Sequence, residues 1–350
     1  MLKSFKYRLS PTRKQQEIMQ WTLDRCRELY NASLQERQDA YNFHVKQNPN
    51  YYDVPTRKQL SKELTVGYYD QANQLLEIKD MREDYRDVYS QVLQDVLRRI
   101  KKAFDNFFRR CKNGEEPGYP RFQGRNRYDS FTYPQAGFFI TYDNRVCLSK
   151  IGSIKVKLHR KMKGKIKTCT IKREGDNWYV VFACEVESEP LPANSDVVGI
   201  DLGLLHFATL SDGSTIENPR YFRKGEKKLA TVQQSLARKK RGSHRRKKAV
   251  KQVGKAHRKV RNQRADFLHK ASRNLVNTYE TLVFEELAPS NFSKRAQPKQ
   301  DENGKYLPNG GSAKSGLNKS IVDAGWSQFV QFCIYKAANA GRTVVQVNPR

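Results

Sequence analysis

Acidic residues are scarce in this chain. Its 350 residues carry 36 Asp and Glu against 66 Lys and Arg, a formal net charge of +30. So much like charge opposes a compact monomer and points to a polyanionic partner. Long apolar runs are missing as well. None approaches the roughly 20 residues that a membrane-spanning helix needs. The basic N-terminus MLKSFKYRLSPTRKQ lacks the apolar stretch of a secretory signal. Nucleic acid, rather than a membrane, is the polyanion these absences leave.

Cysteine is sparse and scattered. Cys26, Cys111, Cys147, Cys169, Cys184 and Cys333 stand singly, with no C-x-x-C pair. That argues against a disulfide framework and a zinc site, and it predicts buried free thiols. The six histidines show no metal-ligand spacing, and neither G-x-x-x-x-G-K-[ST] nor G-x-S-x-G occurs. P-loop nucleotide chemistry and Ser or Cys nucleophilic hydrolysis therefore have no positive support.

What is present begins with LKSFKYRL at 2–9, which alternates as a strand and carries Lys3, Lys6 and Arg8. Ser10-Pro11-Thr12 then starts a helix. YYDVPTR at 51–57 reads as a loop, with a helical stretch from about Lys58. A further helix over 89–112 has Val92, Val96, Ile100, Phe104, Phe107 and Phe108 on one stripe, expected to be core. After NGEEPGYP the character turns to β. Arg121, Arg125 and Arg127 interleave with Tyr119, Phe122, Tyr128, Phe131 and Tyr133, and short strands follow up to about 188. These read as a small β barrel or sheet with basic outward positions. The aromatic residues suit core packing or stacking on unpaired bases.

PLPANSD at 190–196 reads as a linker before a third region. Its first motif, VVGIDLGLLHFATLSDG, is a strand, a turn and a strand. Residues 223–264 then hold 18 Lys and Arg and one acid, Glu226. The stripe Leu229, Val232, Leu236 and the heptad-spaced Val253, Val260, Phe267 predict a helical hairpin with an apolar seam. Its outer face would be cationic, with Arg238, Lys239, Lys240, Arg241, Arg245, Arg246, Lys247 and Lys248 near the bend. TLVFEEL at 281–287 is a strand and the stretch to about Lys319 a loop. SIVDAGWSQFVQFCIYKAANAG is one helix, and RTVVQVNPR a last strand.

Two acids sit on strands in apolar surroundings, Asp201 and Glu285. Either suits an edge or ion-pair role. Together, in a cationic protein, they suggest carboxylates converging on Mg²⁺ or Mn²⁺ for phosphodiester hydrolysis. Glu286 competes with Glu285, although alternation puts Val283 and Glu285 on one face. G-x-D-x-G also occurs in the phosphate-binding turns of actin-like and sugar-kinase ATPases. A second such turn is missing here, and ATP alone would not need so basic a hairpin.

Several segments in fixed order resemble the TnpB family, RNA-guided nucleases encoded by insertion sequences and related to type V CRISPR effectors. They are FKYRLSPTRKQQEIMQWTLDRCRELYNASLQER, GYPRFQGRNRYDSFTYP, VVGIDLGLLHFATLSDGSTIENPRYFRKGEKKL, NQRADFLHKASRNLV and SIVDAGWSQFVQFCIYKAANAGRTVVQVNPR. The resemblance implies a mixed α/β and α+β multidomain chain. A wedge-like β domain (1–10 plus 115–190) would be split around a helical recognition domain (11–114). A ribonuclease-H-like RuvC domain would occupy 191–350. Its first two metal-binding catalytic carboxylates would be Asp201 and Glu285, with Mg²⁺ or Mn²⁺ as cofactor. The partners implied are a guide RNA from the transposon end and target double-stranded DNA, in a prokaryotic cytoplasm at the nucleoid; the oligomeric state stays open.

The family pattern continues into a zinc ribbon and a third catalytic Asp, which do not precede Arg350. Downstream of Glu286 only Asp301, Glu302 and Asp323 are acidic, and Asp323 reads as a helix-start residue. Reduced or absent cleavage is therefore the expectation, with nucleic-acid binding retained. The alternatives are a fragment of an active nuclease, a nuclease-deficient RNA-guided repressor or, least favoured, a transposase. The last would need a His pair beside a nucleophilic Tyr, which the sequence does not offer.

Overall fold

The structure, a computed structural model, describes residues 1–348, the side chains of residues 289 and 290 excepted. The chain divides into two compact units, residues 2–186 and residues from 187 onward.

The first unit opens with strand β1 (Leu2–Ser10) and helix α1 (Arg13–Ala40). Thr12 starts α1 with a capping box: its hydroxyl accepts from the Gln15 N–H, and the Gln15 side chain accepts from the Thr12 N–H. A π-helical turn (Tyr41–Lys46) follows. Then come α2 (Val54–Leu64), α3 (Tyr68–Asn73), α4 (Leu75–Met81) and α5 (Ser90–Lys112). Helix α2 starts four residues before the expected Lys58, because the Asp53 carboxylate accepts from the Thr56 N–H and Pro55 suits a first turn.

Strands β2 (Ser130–Tyr133), β3 (Phe138–Ile140), β4 (Arg145–Leu148), β5 (Gly152–Lys157), β6 (Lys165–Glu174) and β7 (Asn177–Glu185) complete this unit. With β1 they form one antiparallel sheet in the order β2-β6-β7-β1-β5-β4-β3. The expected barrel is not closed: β2 and β3 are free outer strands of an open sheet. Phe5, Tyr7 and Leu9 of β1 share one core with Leu23 and Cys26 of α1 and with Val92, Val96 and Ile100 of α5. Among the cysteines, Cys26, Cys169, Cys184 and Cys333 are buried as expected, whereas Cys111 is exposed at the end of α5.

The second unit begins with the meander β8 (Val197–Leu202), β9 (His206–Leu210) and β10 (Thr215–Glu217). Gly203 makes the first turn, where a Cβ would stand 2.9 Å from the His206 carbonyl oxygen. Helices α6 (Tyr221–Ala237) and α7 (His244–Thr278) cross over to β11 (Thr281–Glu285). The short α8 (Pro289–Phe292), a hairpin of β12 (Lys299–Gln300) and β13 (Tyr306–Leu307), then α9 (Gly311–Ala324) and α10 (Trp326–Ala340) lead to β14 (Thr343–Val347). The main sheet runs β10-β9-β8-β11-β14. Strands β8, β11 and β14 are mutually parallel, and β9 and β10 antiparallel. Parallel neighbours require crossovers, and the helices supply them.

Two expectations change here. The stretch expected as a loop up to Lys319 is helical from Gly311, and the single helix expected next is broken. Gly325, at φ 71°, separates α9 from α10 in the left-handed region that glycine tolerates best. The sheet packs through Phe207 and Phe284 onto Phe329 of α10, with ring centroids 4.9 and 6.1 Å apart. Of the last expected strand, Pro349 and Arg350 lie outside the described residues.

Candidate metal centre and nucleic-acid interface

Along β8, Val198, Ile200 and Leu202 are buried, while Asp201 is exposed. Along β11, Leu282 and Phe284 are buried, while Glu285 is exposed. The strands run parallel with Phe284 opposite Ile200, so the next residue on each is a carboxylate. Alternation turns both away from the core and toward the same face. Adjacent strands lie about 4.8 Å apart, within reach of one shared cation. Glu286 follows the strand, and its N–H donates to the Val347 carbonyl at 2.8 Å. Alternation sends its side chain to the other face.

Around this pair the strands are pinned. The Gly199 N–H donates to the Ser211 hydroxyl at 3.0 Å, and the Ser211 N–H returns to the Gly199 carbonyl at 2.9 Å. Buried Arg342 ion-pairs with Glu280, just before β11, and donates to the Pro192 carbonyl at 2.7 Å. Exposed carboxylate oxygens on neighbouring strands suit Mg²⁺ or Mn²⁺. Among the described residues, however, no group of three or more His, Cys, Asp or Glu side chains could hold a metal ion.

Asp323 has a different task from the one expected. It lies in the last turn of α9, not at a helix start. Its carboxylate accepts from the Phe222 N–H at 2.9 Å and stands 3.7 Å from the Arg264 guanidinium. It thereby caps α6, whose preceding residue Arg220 sits at φ 48° and offers no side-chain cap. Burial raises the Asp323 carboxyl above its ordinary value, opposed by the Phe222 N–H and Arg264. Asp323 is a cap assembled by the tertiary fold, and no spacing in the sequence announces it. Asp301 lies in the turn between β12 and β13, where its carboxylate accepts from the Asn303 and Lys305 N–H groups; Glu302 is in the same turn.

The basic hairpin takes the expected form, α6 and α7 joined by residues 238–243. Gly225 meets the facing helix closely, since a Cβ there would lie 3.1 Å from the Val260 side chain. Arg238, Lys240, Arg241, Arg245, Lys247 and Lys248 are exposed, and Lys239 is half-buried. Arg246 differs from them. Its guanidinium donates to the Leu236 and Lys239 carbonyls, both at 3.0 Å, and so ties the end of α6 to the start of α7.

In the first unit, Lys6 and Arg8 leave β1 opposite Phe5, Tyr7 and Leu9. Lys6 pairs with Glu174 at 2.7 Å and lies 4.2 Å from the Tyr179 ring centroid. Arg8 donates to Asn177 at 2.9 Å. Lys3 is half-buried near Phe5. Arg121, Arg125 and Arg127 are exposed on the loop before β2, with Arg125 3.5 Å from Asp24.

Comparison with known proteins gives these residues a context. Residues 181–296 match a family described as "Probable transposase", and residues 1–46 match one described as "Helix-turn-helix domain". Over the latter stretch this chain folds as a strand, a 28-residue helix and a π-helical turn. A protein of Escherichia coli (strain K12) named "Putative RNA-guided DNA endonuclease InsQ" is 31% identical over 99% of this chain and 81% of its own length. A similarly named protein of Streptomyces pristinaespiralis is 30% identical over 99% of this chain and 77% of its own length. A solved structure, described as a Cas12f1-sgRNA-target DNA complex, contains a chain of like fold. It has a TM-score of 0.52 and 12% identity, covering 97% of this chain and 74% of that one. Identity at this level across nearly the whole sequence places the chain in the TnpB family of transposon-encoded RNA-guided DNA nucleases.

Proposed function

We propose that this protein binds a guide RNA transcribed from a transposon end and, directed by it, engages double-stranded DNA. The names of its two relatives support this reading, as does a surface on which residues 223–264 concentrate 18 basic residues against one acid. Cations at that density neutralise phosphates and release counterions, whatever the sequence bound. The exposed bend residues Arg238, Lys240, Arg241, Arg245, Lys247 and Lys248 carry this contact, and Arg246 holds the bend that presents them. The wedge-like β domain (1–10 plus 115–190) and the helical segment (11–114) would divide RNA and DNA recognition.

The second unit is read as a ribonuclease-H-like RuvC domain, supported by its meander followed by two parallel strands. Asp201 and Glu285 would hold Mg²⁺ or Mn²⁺. A divalent cation there supplies activation of water and stabilisation of the leaving oxygen at a scissile phosphate. The chain's part is to present two carboxylates side by side on neighbouring parallel strands. Two carboxylates are few for a pair of divalent ions, and no third joins them among the described residues. We read this chain as an RNA-guided DNA binder in which cleavage is reduced or absent, a nuclease-deficient repressor and a fragment of an active nuclease being the alternatives. The observation that carries the metal assignment is the register placing Asp201 beside Glu285.

The test is Mg²⁺-dependent cleavage of a matched DNA by this polypeptide with its RNA. Little or no product, with the DNA still bound, is expected. Rapid cleavage abolished by Asp201→Ala would confirm the metal ligand and overturn the reading of reduced cleavage.

A further inference from the structure

The aromatic stripe of α5 runs out of the core before the helix ends. Val92, Val96 and Ile100 are buried, but Phe108 is 60% exposed, and Tyr119 beyond the turn is 42% exposed. These two rings form a cluster with Phe104 and Phe107. The Phe107 and Phe108 centroids are 5.2 Å apart, Phe107 and Tyr119 5.2 Å, Phe104 and Tyr119 5.7 Å, and Phe104 stacks on Phe108 at 6.2 Å. Leaving such a cluster half in water forgoes the burial that drives aromatic residues inward.

Its surroundings are cationic. Residues 101–121 hold six Lys and Arg and three acids. Arg109 and Arg110 of the last helical turn are more than 45% exposed, each 3.9 Å from Glu115, and the Arg37 guanidinium lies 5.4 Å from the Phe104 centroid. Partly exposed rings beside the Arg109 and Arg110 guanidinium groups match bases joined by phosphates.

We propose that Phe108 and Tyr119, backed by Phe104 and Phe107, are a stacking platform for unpaired bases of an RNA. Paired bases present edges and backbone, whereas splayed bases offer the π-face such rings require. RNA is preferred to DNA because a guide offers unpaired segments before any duplex is opened. This inference rests on the RNA-binding reading above and assigns one subsite to it.

The test uses the full chain with a single-stranded RNA of mixed sequence carrying 4-thiouridine, the same RNA as a duplex, and the same sequence as single-stranded DNA. Irradiation is expected to crosslink the single-stranded RNA to the segment holding Phe108 and Tyr119. Phe108→Ala should weaken that RNA by roughly fivefold or more, the low end of base-aromatic stacking. Phe108→Trp should restore it, with duplex binding and thermal melting unchanged. Unaltered RNA affinity in Phe108→Ala with crosslinks elsewhere overturns the platform and leaves the RNA-binding reading intact. Weakening confined to the DNA strand, or loss of self-association alone, assigns the cluster to another partner and overturns it too. No RNA binding by the unaltered chain removes the functional reading itself, and the platform with it.

Discussion

Asp201 leaves its strand on the face opposite Val198, Ile200 and Leu202, and Glu285 does the same one strand away. Neither residue is marked by composition; what joins them is register, since Phe284 pairs with Ile200. Manganese binding followed by electron paramagnetic resonance should therefore be weakened at least about tenfold by Asp201→Asn or Glu285→Gln, as loss of a charged ligand implies. Glu286→Gln, on the other face, should leave it unchanged; equal loss in all three would contradict the assignment. Arg246 gives a second residue-level expectation. Arg246→Gln removes two charge-assisted bonds at the hairpin bend and should lower stability by about 1 kcal/mol, given their partial exposure. Lys247→Gln, beside it and exposed, should not move the melting temperature.

Helices and strands obey two kinds of signal, one visible in a sequence and one not. The alternation of β1, the helix start after Ser10-Pro11-Thr12 and the basic hairpin are written in neighbouring residues, and all were legible; the Gln15 half of the capping box showed only in the structure. The left-handed break at Gly325 was not, because IVDAGWSQF keeps helical spacing through it and only the backbone angle differs. Gly325→Ala should cost roughly 1–2 kcal/mol for holding an L-residue there, measured by denaturant unfolding. The closed barrel failed for a related reason: strand count and alternation do not say whether the first and last strands meet. Asp323 as a cap for α6 and Lys336 as a clamp between α10 and α7 depend on contacts far apart in sequence.

Lys336 makes a pH-dependent prediction for the packing of these elements. Its amine is buried and donates to the His269 carbonyl and the Ser272 hydroxyl, both at 2.6 Å. Burial, assisted by the Arg273 charge, lowers its pKa from 10.5 to about 8. Between those values the unfolded chain binds the extra proton, so this group makes stability rise with pH across that window. Lys336→Met should remove that component of the slope in denaturant titrations spanning it.

For the whole molecule, the formal charge of +30 makes affinity for any nucleic acid salt-dependent. Replacing Arg238, Lys240, Arg241 and Lys248 with Gln should flatten the plot of log affinity against log salt by about 0.7 per lost contact to a single strand. An unchanged slope would remove the hairpin from the interface. The described helices include none long and apolar enough to cross a membrane. In the proposed function, the RNA sequence decides which DNA this chain holds. The direct measurement is the mobility of a labelled DNA duplex mixed with the protein and either a matched or a scrambled guide, at moderate salt without divalent cleavage. A retarded complex with the matched guide alone is predicted. Equal retardation with both guides, or with no RNA at all, would contradict it and leave only a basic, non-specific DNA-binding protein.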